Sequence, residues 1–577
     1  MKRFIFAISC LVAVAATFQS QAQQGKLANL IQAGNRKAAL DMIRAGADVN
    51  EAQADGTRPI HWAVYRVDYE LTEALIAKKA KADVRNELGS TPLAEAVKVG
   101  DSRMVKMLLD AGSGPEGANE DNQSALMLAI KNGDLAIVQM LVNAGANVNI
   151  VEKVQDQTPL MWAAAANRNA AEMVKILLSK GAKVNIRAKY TDWPSQITSE
   201  PRAQYHAYGG LTPLLYAARG GCYACVEALV AAGADVNLPT PEGVTALLIA
   251  LDNSNNGVAK FLMDHGANPH LWDVYGRTPL YVAVDKKAVP GGGGIPGGGR
   301  GAPGAGGRGA VAPGQVAAGG RGAGGGQAGF GGRGGVNAGS PGGGPTVPSM
   351  QIINALLAAG VDPNPQLSMR RPSNQGGRFN DPLLSTGTTP LLRAAMNNDI
   401  EVIRALLDKG ANPNIIGMGT TPFLLAAGAN SYGARGGGVP ANVDMAVLDL
   451  LIQHGADVNA QVTGTRTFSM RISRQLSQTE GMSALHAAVA ANTTDLVRYL
   501  LDHGARTDLV DASNRTPLDV ANAVPARPVP PEVGAAVPAN AIVQPGTPPA
   551  PAGGRGAAPR AASPEIRTLL QNATQSR

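Results

Sequence analysis

The chain has 577 residues, of which 70 are glycine and 38 proline; both types punctuate a chain rather than fill element interiors, so a single compact domain is excluded. Apolar residues make up 45% while charged residues are 16% and aromatic residues 4%, so a core must be built in thin layers of alanine, leucine and valine. The formal charge of +7 includes Lys2 and Arg3, which belong to a segment read below as removed, and the remaining surplus is too dilute to imply nucleic acid as a partner.

The first element is an address. Lys2 and Arg3 precede an apolar run from Phe4 to Thr17, and Ser20-Gln21-Ala22 sets small residues where a signal peptidase needs them, so residues 1–22 read as an export signal. The run falls short of the roughly 20 residues of a membrane-spanning helix, and no later stretch is continuously apolar for that length. The expectation is a soluble, exported protein, periplasmic or secreted, with no transmembrane segment. Ala7-Ile8-Ser9 before Cys10 lacks the leucine of a lipidation site, and apolar residues continue past the cysteine, so lipid attachment is not expected. Removal of Cys10 leaves Cys222 and Cys225, too few for a disulfide framework.

From residue 26 onward one phrase recurs, Thr-Pro-Leu or a close variant. Its second residue falls at Pro59, Pro92, Ala125, Pro159, Pro213, Ala246, Pro279, Pro390, Pro422, Ala484 and Pro517, and five of the ten spacings are 33. Ser or Thr precedes this anchor in every copy but one, where Arg58 stands, and the fourth residue after it is always alanine, from Ala63 to Ala521. Ser or Thr caps a helix by accepting a hydrogen bond from a free backbone N–H, and proline fits the first helical position, where no donor is needed. Each anchor therefore opens a helix A. The alanine lies on the packed face, and its small side chain lets the next helix approach to roughly 8–10 Å. About twenty residues after each anchor a glycine, such as Gly112, Gly145, Gly233, Gly266, Gly410 or Gly504, supplies the left-handed turn that ends a helix B.

These residues resemble the ankyrin repeat: the Thr-Pro-Leu-His opening, a second helix such as Val105-Lys106-Met107-Leu108-Leu109, and the Gly-Ala-Asp-Val-Asn exit. Pro213 to Asn237 and Ala484 to Asp508 run close to the pattern, which covers most of 26–524. The resemblance implies an all-α solenoid of stacked helix-turn-helix units with hairpin-like fingers. Two departures stand out. The histidine survives only as His61 and His486, and Lys79 replaces the turn glycine of the second unit, so those units are expected to be weaker.

Irregular spacings resolve into insertions. Repeats occupy 26–287 and 349–524; residues 288–348 form a Gly/Arg-rich insertion within one repeat, separating helix A (Thr278 to about Lys287) from helix B (Met350 to Ala359). A Pro/Ala-rich insertion at 525–563 likewise separates the last helix A from its helix B, which opens the terminal helix and tail at 564–577. With an anchorless cap near Leu27 to Asn50 the count is twelve units. The Gly-Gly-Arg-Gly contexts of Arg300, Arg308, Arg321 and Arg333 are weakly similar to RNA-binding tracts, but stacking residues and charge are sparse, and a disordered loop is the expectation.

Three further insertions, Arg187–Gly210, Gln366–Gly387 and Gln461–Met482, fall where ankyrin repeats extend their fingers. They carry Trp193, Tyr205, Arg370, Arg371, Arg471 and Arg474, an aromatic-plus-arginine composition typical of binding hot spots. In this family, residues just before each anchor and six or seven after it face the concave side; here these include Tyr65, Arg66, Lys98, Asn132, Arg219, Asp252, Tyr275 and Arg277. Both sets are candidate partner contacts. Cys222-Tyr223-Ala224-Cys225 opens a helix B, where the dipole lowers a thiol pKa, yet Cys225 takes a core position in the repeat register. Structural cysteines or a local disulfide are the main reading, an exchange-active pair the alternative. No metal spacing, phosphate loop or nucleophile elbow appears. The expected function is a non-catalytic, monomeric protein–protein interaction scaffold outside the cytoplasm, with no cofactor. Alternatives are a thiol-redox or enzyme-accessory protein using Cys222 and Cys225, and polyanion capture by the arginine loops.

Overall fold

The computed structural model describes residues 26–117, 119–190, 209–288, 344–368, 387–417, 419–429, 443–463, 479–523 and 561–576. The expected export signal, most of the two low-complexity insertions, and Trp193, Tyr205, Arg370, Arg371, Arg471 and Arg474 lie outside the described residues.

Every described anchor opens a short helix, and each is followed by a second. In chain order the pairs are α1 (Lys26–Gln32) and α2 (Arg36–Arg44), α3 (Pro59–Tyr65) and α4 (Tyr69–Ala77), α5 (Pro92–Val99) and α6 (Ser102–Asp110), α7 (Ala125–Asn132) and α8 (Leu135–Asn143). Next come α9 (Pro159–Ala164) and α10 (Ala170–Ser179), α11 (Pro213–Gly220) and α12 (Tyr223–Ala231), α13 (Ala246–Asp252) and α14 (Asn256–Asp264), α15 (Pro279–Ala288) and α16 (Ser349–Ala358). The last four pairs are α17 (Pro390–Met396) and α18 (Ile400–Asp408), α19 (Pro422–Ala426) and α20 (Met445–Gln453), α21 (Ala484–Ala490) and α22 (Thr494–Asp502), α23 (Pro517–Ala521) and α24 (Pro564–Gln575). Twelve hairpins are thus present among the described residues, with extended pairing limited to isolated bridges.

The chain forms two compact bodies. One comprises the described parts of Met1–Ala283 and Ser340–Arg378 together with Asp408–Ala411, and the other the described parts of Val284–Gly339, Phe379–Leu407 and Asn412–Arg577. The division runs through α15, because α16, beyond the 288–348 insertion, packs on α14 of the first body. In the first body α1, α3, α5, α7, α9, α11 and α13 each pack on the next, and the helices B run parallel to this stack from α6 to α16. In the second, α17 packs on α19, α21 on α23, and α22 on α24.

The alanine after each anchor sits where the stack is tightest. Ala63, Ala96, Ala129, Ala163, Ala217, Ala250, Ala488 and Ala521 are 0% exposed, and Ala283, Ala394 and Ala426 no more than 5%, so a larger side chain at any of them would push adjacent hairpins apart. Caps start the helices as the sequence predicts: the Thr91 hydroxyl accepts from the Ala94 N–H at 3.1 Å, and Ser124, Thr158, Thr212, Thr245, Thr389, Thr421, Ser483 and Thr516 do the same at their own helices. At Arg58, which has no acceptor, His61 reaches back and its Nδ1 accepts from the Arg58 N–H at 3.2 Å.

Two hydrogen-bond ladders tie neighbours together outside the helices. The asparagine of the exit sequence bridges to the next hairpin: Asn237 Nδ2 donates to the Gly266 carbonyl at 2.9 Å, while its Oδ1 accepts from the Asn268 N–H at 2.7 Å. Asn149 and Asn414 do likewise. Along the fingers, single backbone bonds link consecutive tips, among them Glu87 N–H to Asp55 O at 2.9 Å, Lys153 N–H to Asp121 O at 2.8 Å and Val274 N–H to Glu242 O at 2.9 Å. The 187–210 and 461–482 insertions leave and re-enter at paired necks, with bridges between Tyr190 and Gly209 and between Gln461 and Ser483.

Candidate functional site

Each helix A uses one face against its own helix B and two flanks against neighbouring helices A, which leaves one face free. Because all of them start from the same anchor, residues at one offset stack above each other through the body. Three residues after the anchor, successive helices of the first body carry Trp62, Glu95, Leu128, Trp162, Tyr216, Ile249 and Val282. Six of these seven are apolar or aromatic, and all but the buried Tyr216 and Val282 are partly exposed. The rings are held from the finger side: Trp62 Nε1 donates to Gln53 Oε1 at 2.7 Å, and Gln157 Nε2 donates to the Tyr216 hydroxyl at 2.7 Å. Burial pushes the Tyr216 phenol up from its ordinary pKa. Tyr65 extends the row, its ring edge-on to Trp62 with centroids 5.9 Å apart and 60% of its surface exposed. In the second body the same offset holds Arg393, Leu425 and Ala487, all buried, and Val520, which is partly exposed.

This third-residue row lies apart from the six and seven offsets that the family resemblance points to. The signal was present in the repetition of large apolar types at one offset, which only gains meaning once that offset is known to face away from helix B.

The predicted contact residues divide. Tyr65, Arg66, Lys98, Asn132 and Arg219 lie exposed at the ends of helices A. Arg66 donates to the Gln32 carbonyl, Lys98 pairs with Glu95 at 2.9 Å, Asn132 donates to the Val97 carbonyl at 3.0 Å, and the Arg219 guanidinium lies 5.0 Å from the centroid of the Tyr216 ring. Tyr275 is half-buried at a finger tip. Arg277 and Asp252 require correction as contacts. The Arg277 side chain is only 7% exposed, bonded to Asp273 at 2.7 Å and to Asp252 at 3.1 Å, and Asp273 is wholly buried. Burial by itself would lower the Arg277 pKa; the two carboxylates outweigh it and hold the guanidinium charged. The triad fixes a finger against α13 and leaves neither Arg277 nor Asp252 free to meet a partner.

Cys222 and Cys225 are joined as a disulfide with Cα atoms 5.2 Å apart. Cys222 occupies the N-cap of α12, where Asp68, Asp101 and Asp134 cap α4, α6 and α8 with a carboxylate, and Cys225 is 0% exposed in the core. This is the local disulfide of the main reading. His61 and His486 are buried, each bonding a carbonyl of the next hairpin, Ser90 O at 3.3 Å and Arg515 O at 3.0 Å, and burial pushes both imidazoles below their ordinary pKa. Among the described residues no group of three or more His, Cys, Asp or Glu is placed to hold a metal, and no helix is long and apolar enough to cross a membrane.

Stacked, capped helical hairpins with a free inner face define a helical-repeat scaffold, and the comparisons identify which kind. A family profile described as ankyrin repeats (3 copies) matches residues 27–117, 96–188, 214–290, 349–462 and 441–523, most of the chain. The chain belongs to the ankyrin repeat family and is, at that level, a protein–protein interaction scaffold. It is 27% identical over 404 residues to the E3 ubiquitin-protein ligase KEG of Arabidopsis thaliana, spanning 66% of this chain and 19% of the ligase. It is 32% identical over 121 residues to the putative ankyrin repeat protein FPV031 of fowlpox virus, 21% of this chain and 30% of the viral protein. The chain thus covers less than a third of either relative. The ankyrin repeat domain of Bcl-3 aligns with a TM-score of 0.32 at 25% identity, over 40% of this chain and 94% of that one.

Proposed function

We propose that the protein is a non-catalytic scaffold outside the cytoplasm that holds a protein partner on the free face of the helices A of its first body, with the finger side of that body adding contacts. The observation that carries this reading is the set Trp62, Leu128, Trp162 and Ile249, large side chains left partly uncovered at one offset on layers of the first body. Ankyrin repeat domains are generally non-catalytic.

Export is supported by the basic-then-apolar leader at residues 1–22 and by the Cys222–Cys225 disulfide, a bond that persists in oxidising compartments. The test is a crosslinking pull-down from the exported fraction, comparing the parent with a Trp62→Ala/Trp162→Ala variant of unchanged far-UV spectrum. Loss of specific crosslinked proteins in the variant supports the reading; an identical crosslinked set in both refutes it. Recovery of the protein with its leader intact and both cysteines reduced would refute the location.

A further inference from the structure

The Cys222–Cys225 bridge stands where other hairpins manage without sulfur. At the start of α4, α6 and α8 the carboxylates of Asp68, Asp101 and Asp134 accept from the N–H groups of Leu71, Met104 and Ile137 at 3.1, 2.8 and 3.1 Å, and those three apolar side chains are buried. The α11–α12 hairpin puts cysteine at both places: Cys222 takes the N-cap, and Cys225 takes the buried position whose N–H a cap would bind. With the bridge closed, the Cys222 side chain makes no cap bond. A bridge between residues three apart in sequence removes little freedom from the unfolded chain, because that benefit grows with the loop it closes. The turn before the bridge is secured by other groups. Asn255 Nδ2 donates to the Ala218 and Arg219 carbonyls at 2.9 and 3.1 Å, the Cys222 N–H donates to the Ala217 carbonyl at 3.1 Å, and Val226 and Leu229 anchor α12 in the core. Neither packing nor capping calls for this disulfide, and opening it leaves the hairpin in place.

The two sulfurs are unequal. Cys222 is partly exposed and Cys225 is 0% exposed, so an incoming thiolate meets Cys222. The N-cap also favours negative charge on Cys222: a neutral thiol there is a weak acceptor, but a thiolate gains the free N–H groups of the first turn and the helix dipole, as the three aspartates do. Burial opposes a thiolate on Cys225.

We propose that Cys222–Cys225 is a thiol–disulfide exchange site that takes two electrons from a dithiol of a partner protein, with Cys222 the sulfur attacked. A thiolate of the dithiol attacks Cys222 Sγ, the Cys222–Cys225 bond breaks, and Cys225 leaves with the bonding pair and takes up a proton. The second thiol of the dithiol, deprotonated, then attacks the partner's sulfur in this mixed disulfide and expels Cys222 as thiolate. The dithiol ends as a disulfide and the chain as a dithiol, so the bridge itself is the oxidant. The second step runs forward because Cys222 is the better leaving group, while the buried Cys225 thiol is slow to attack the mixed disulfide and reverse the first step. This stoichiometric exchange goes beyond the scaffold reading and uses none of its contact residues.

The test mixes the oxidised full-length chain at neutral pH with one equivalent of a reduced peptide carrying two cysteines, quenches with acid and reads both masses. The peptide is expected to lose two hydrogens and the chain to gain them, with the far-UV spectrum unchanged. In Cys225→Ser, Cys222 is expected to form a mixed disulfide with oxidised glutathione on the order of tenfold faster than Cys225 does in Cys222→Ser. A bridge that leaves the peptide reduced, yet opens with dithiothreitol in urea, is structural and overturns the proposal. Loss of helix on reduction, or equal rates in the two single-cysteine variants, overturns it as well. The peptide reaction uses the parent chain alone, so it decides the exchange even where a variant fails to fold.

Discussion

Two positions of the turn that ends helix B allow the backbone contribution to be isolated. Gly46, Gly112, Gly145, Gly181, Gly233 and Gly266 hold φ between +81° and +92°, and Lys79 holds φ +63° at the same place. A Cβ built at Gly145 meets nothing within 4 Å, and the Lys79 side chain is exposed, so neither site involves packing. The Lys79 carbonyl accepts from Asn50 Nδ2 at 3.3 Å, a bond that does not depend on the side chain. A left-handed non-glycine residue costs about 1–2 kcal/mol, and glycine gives back about 0.5–1 kcal/mol through the freedom of the unfolded chain. Lys79→Gly should therefore stabilise its hairpin by about 0.5–1 kcal/mol, and Gly145→Lys should destabilise its own by the same amount. Native-state hydrogen exchange reads each locally: protection in α4 should rise about two- to fivefold, and protection in α8 should fall by the same factor. Equal signs for the two substitutions, or a neutral Gly145→Lys, would falsify the claim that conformation alone decides this position.

Arg277→Ala leaves the wholly buried Asp273 without its cation and should destabilise the chain by about 3–5 kcal/mol, read as a lowered urea midpoint; Arg277→Lys, which keeps the charge but loses the fork, should recover part of it. The buried His61 and His486 have folded pKa values below the roughly 6.5 of the unfolded chain, so their contribution is complete above that pH and declines as pH falls from 6.5 through the folded values; the urea midpoint of the parent should drop more between pH 7.5 and 5.5 than that of His61→Gln/His486→Gln. Replacing the disulfide by the residues that the repeat register uses elsewhere, Cys222→Asp with Cys225→Val, should restore a carboxylate N-cap on α12. Its melting temperature should then lie above that of the reduced parent, by the equivalent of about 1 kcal/mol for the cap.

The architecture was legible because each fold-determining residue acts locally and repeatedly. Thr91 caps within three residues, Gly112 turns within one, and Ala96 sets a distance to the next copy of itself, so eleven aligned copies expose the rule without any long-range information. Two helix ends follow the same local rule: α15 ends at Ala288 and α16 begins at Ser349, where the repeat places Lys287 and Met350. The site was less legible because exposure is a relation between layers. Arg277 and Arg219 look alike in sequence, a cation near an anchor, yet one is locked by Asp273 four residues upstream and Asp252 on the preceding helix, while the other lies free over Tyr216. The Asp273-Arg277 spacing was visible, and it recurs as Asp511-Arg515, bonded at 2.7 Å. Knowing that such a pair folds back on its own finger would have removed Arg277 from the contact set.

The second hairpin shows how fold and recognition compete for the same residues. Its helix B is bracketed by two left-handed non-glycine residues, Val67 at φ +54° and Lys79 at φ +63°, where other hairpins place Gly100, Gly133 or Gly221 and Gly112 or Gly145. A β-branched residue in that conformation is strained. The preceding anchor lacks its Ser or Thr, and the cap falls to His61, a group that works only when neutral. In a stack whose layers touch only their neighbours, such costs are not shared along the body but stay local. This same layer presents Trp62, Tyr65 and Arg66, the start of the partly uncovered row. A partner seated there would cover a hairpin that carries these local costs, so binding energy at this end would be spent partly on holding the layer closed, and the tighter contacts are expected at Trp162, where the threonine cap at Thr158 holds the helix independently of any ligand.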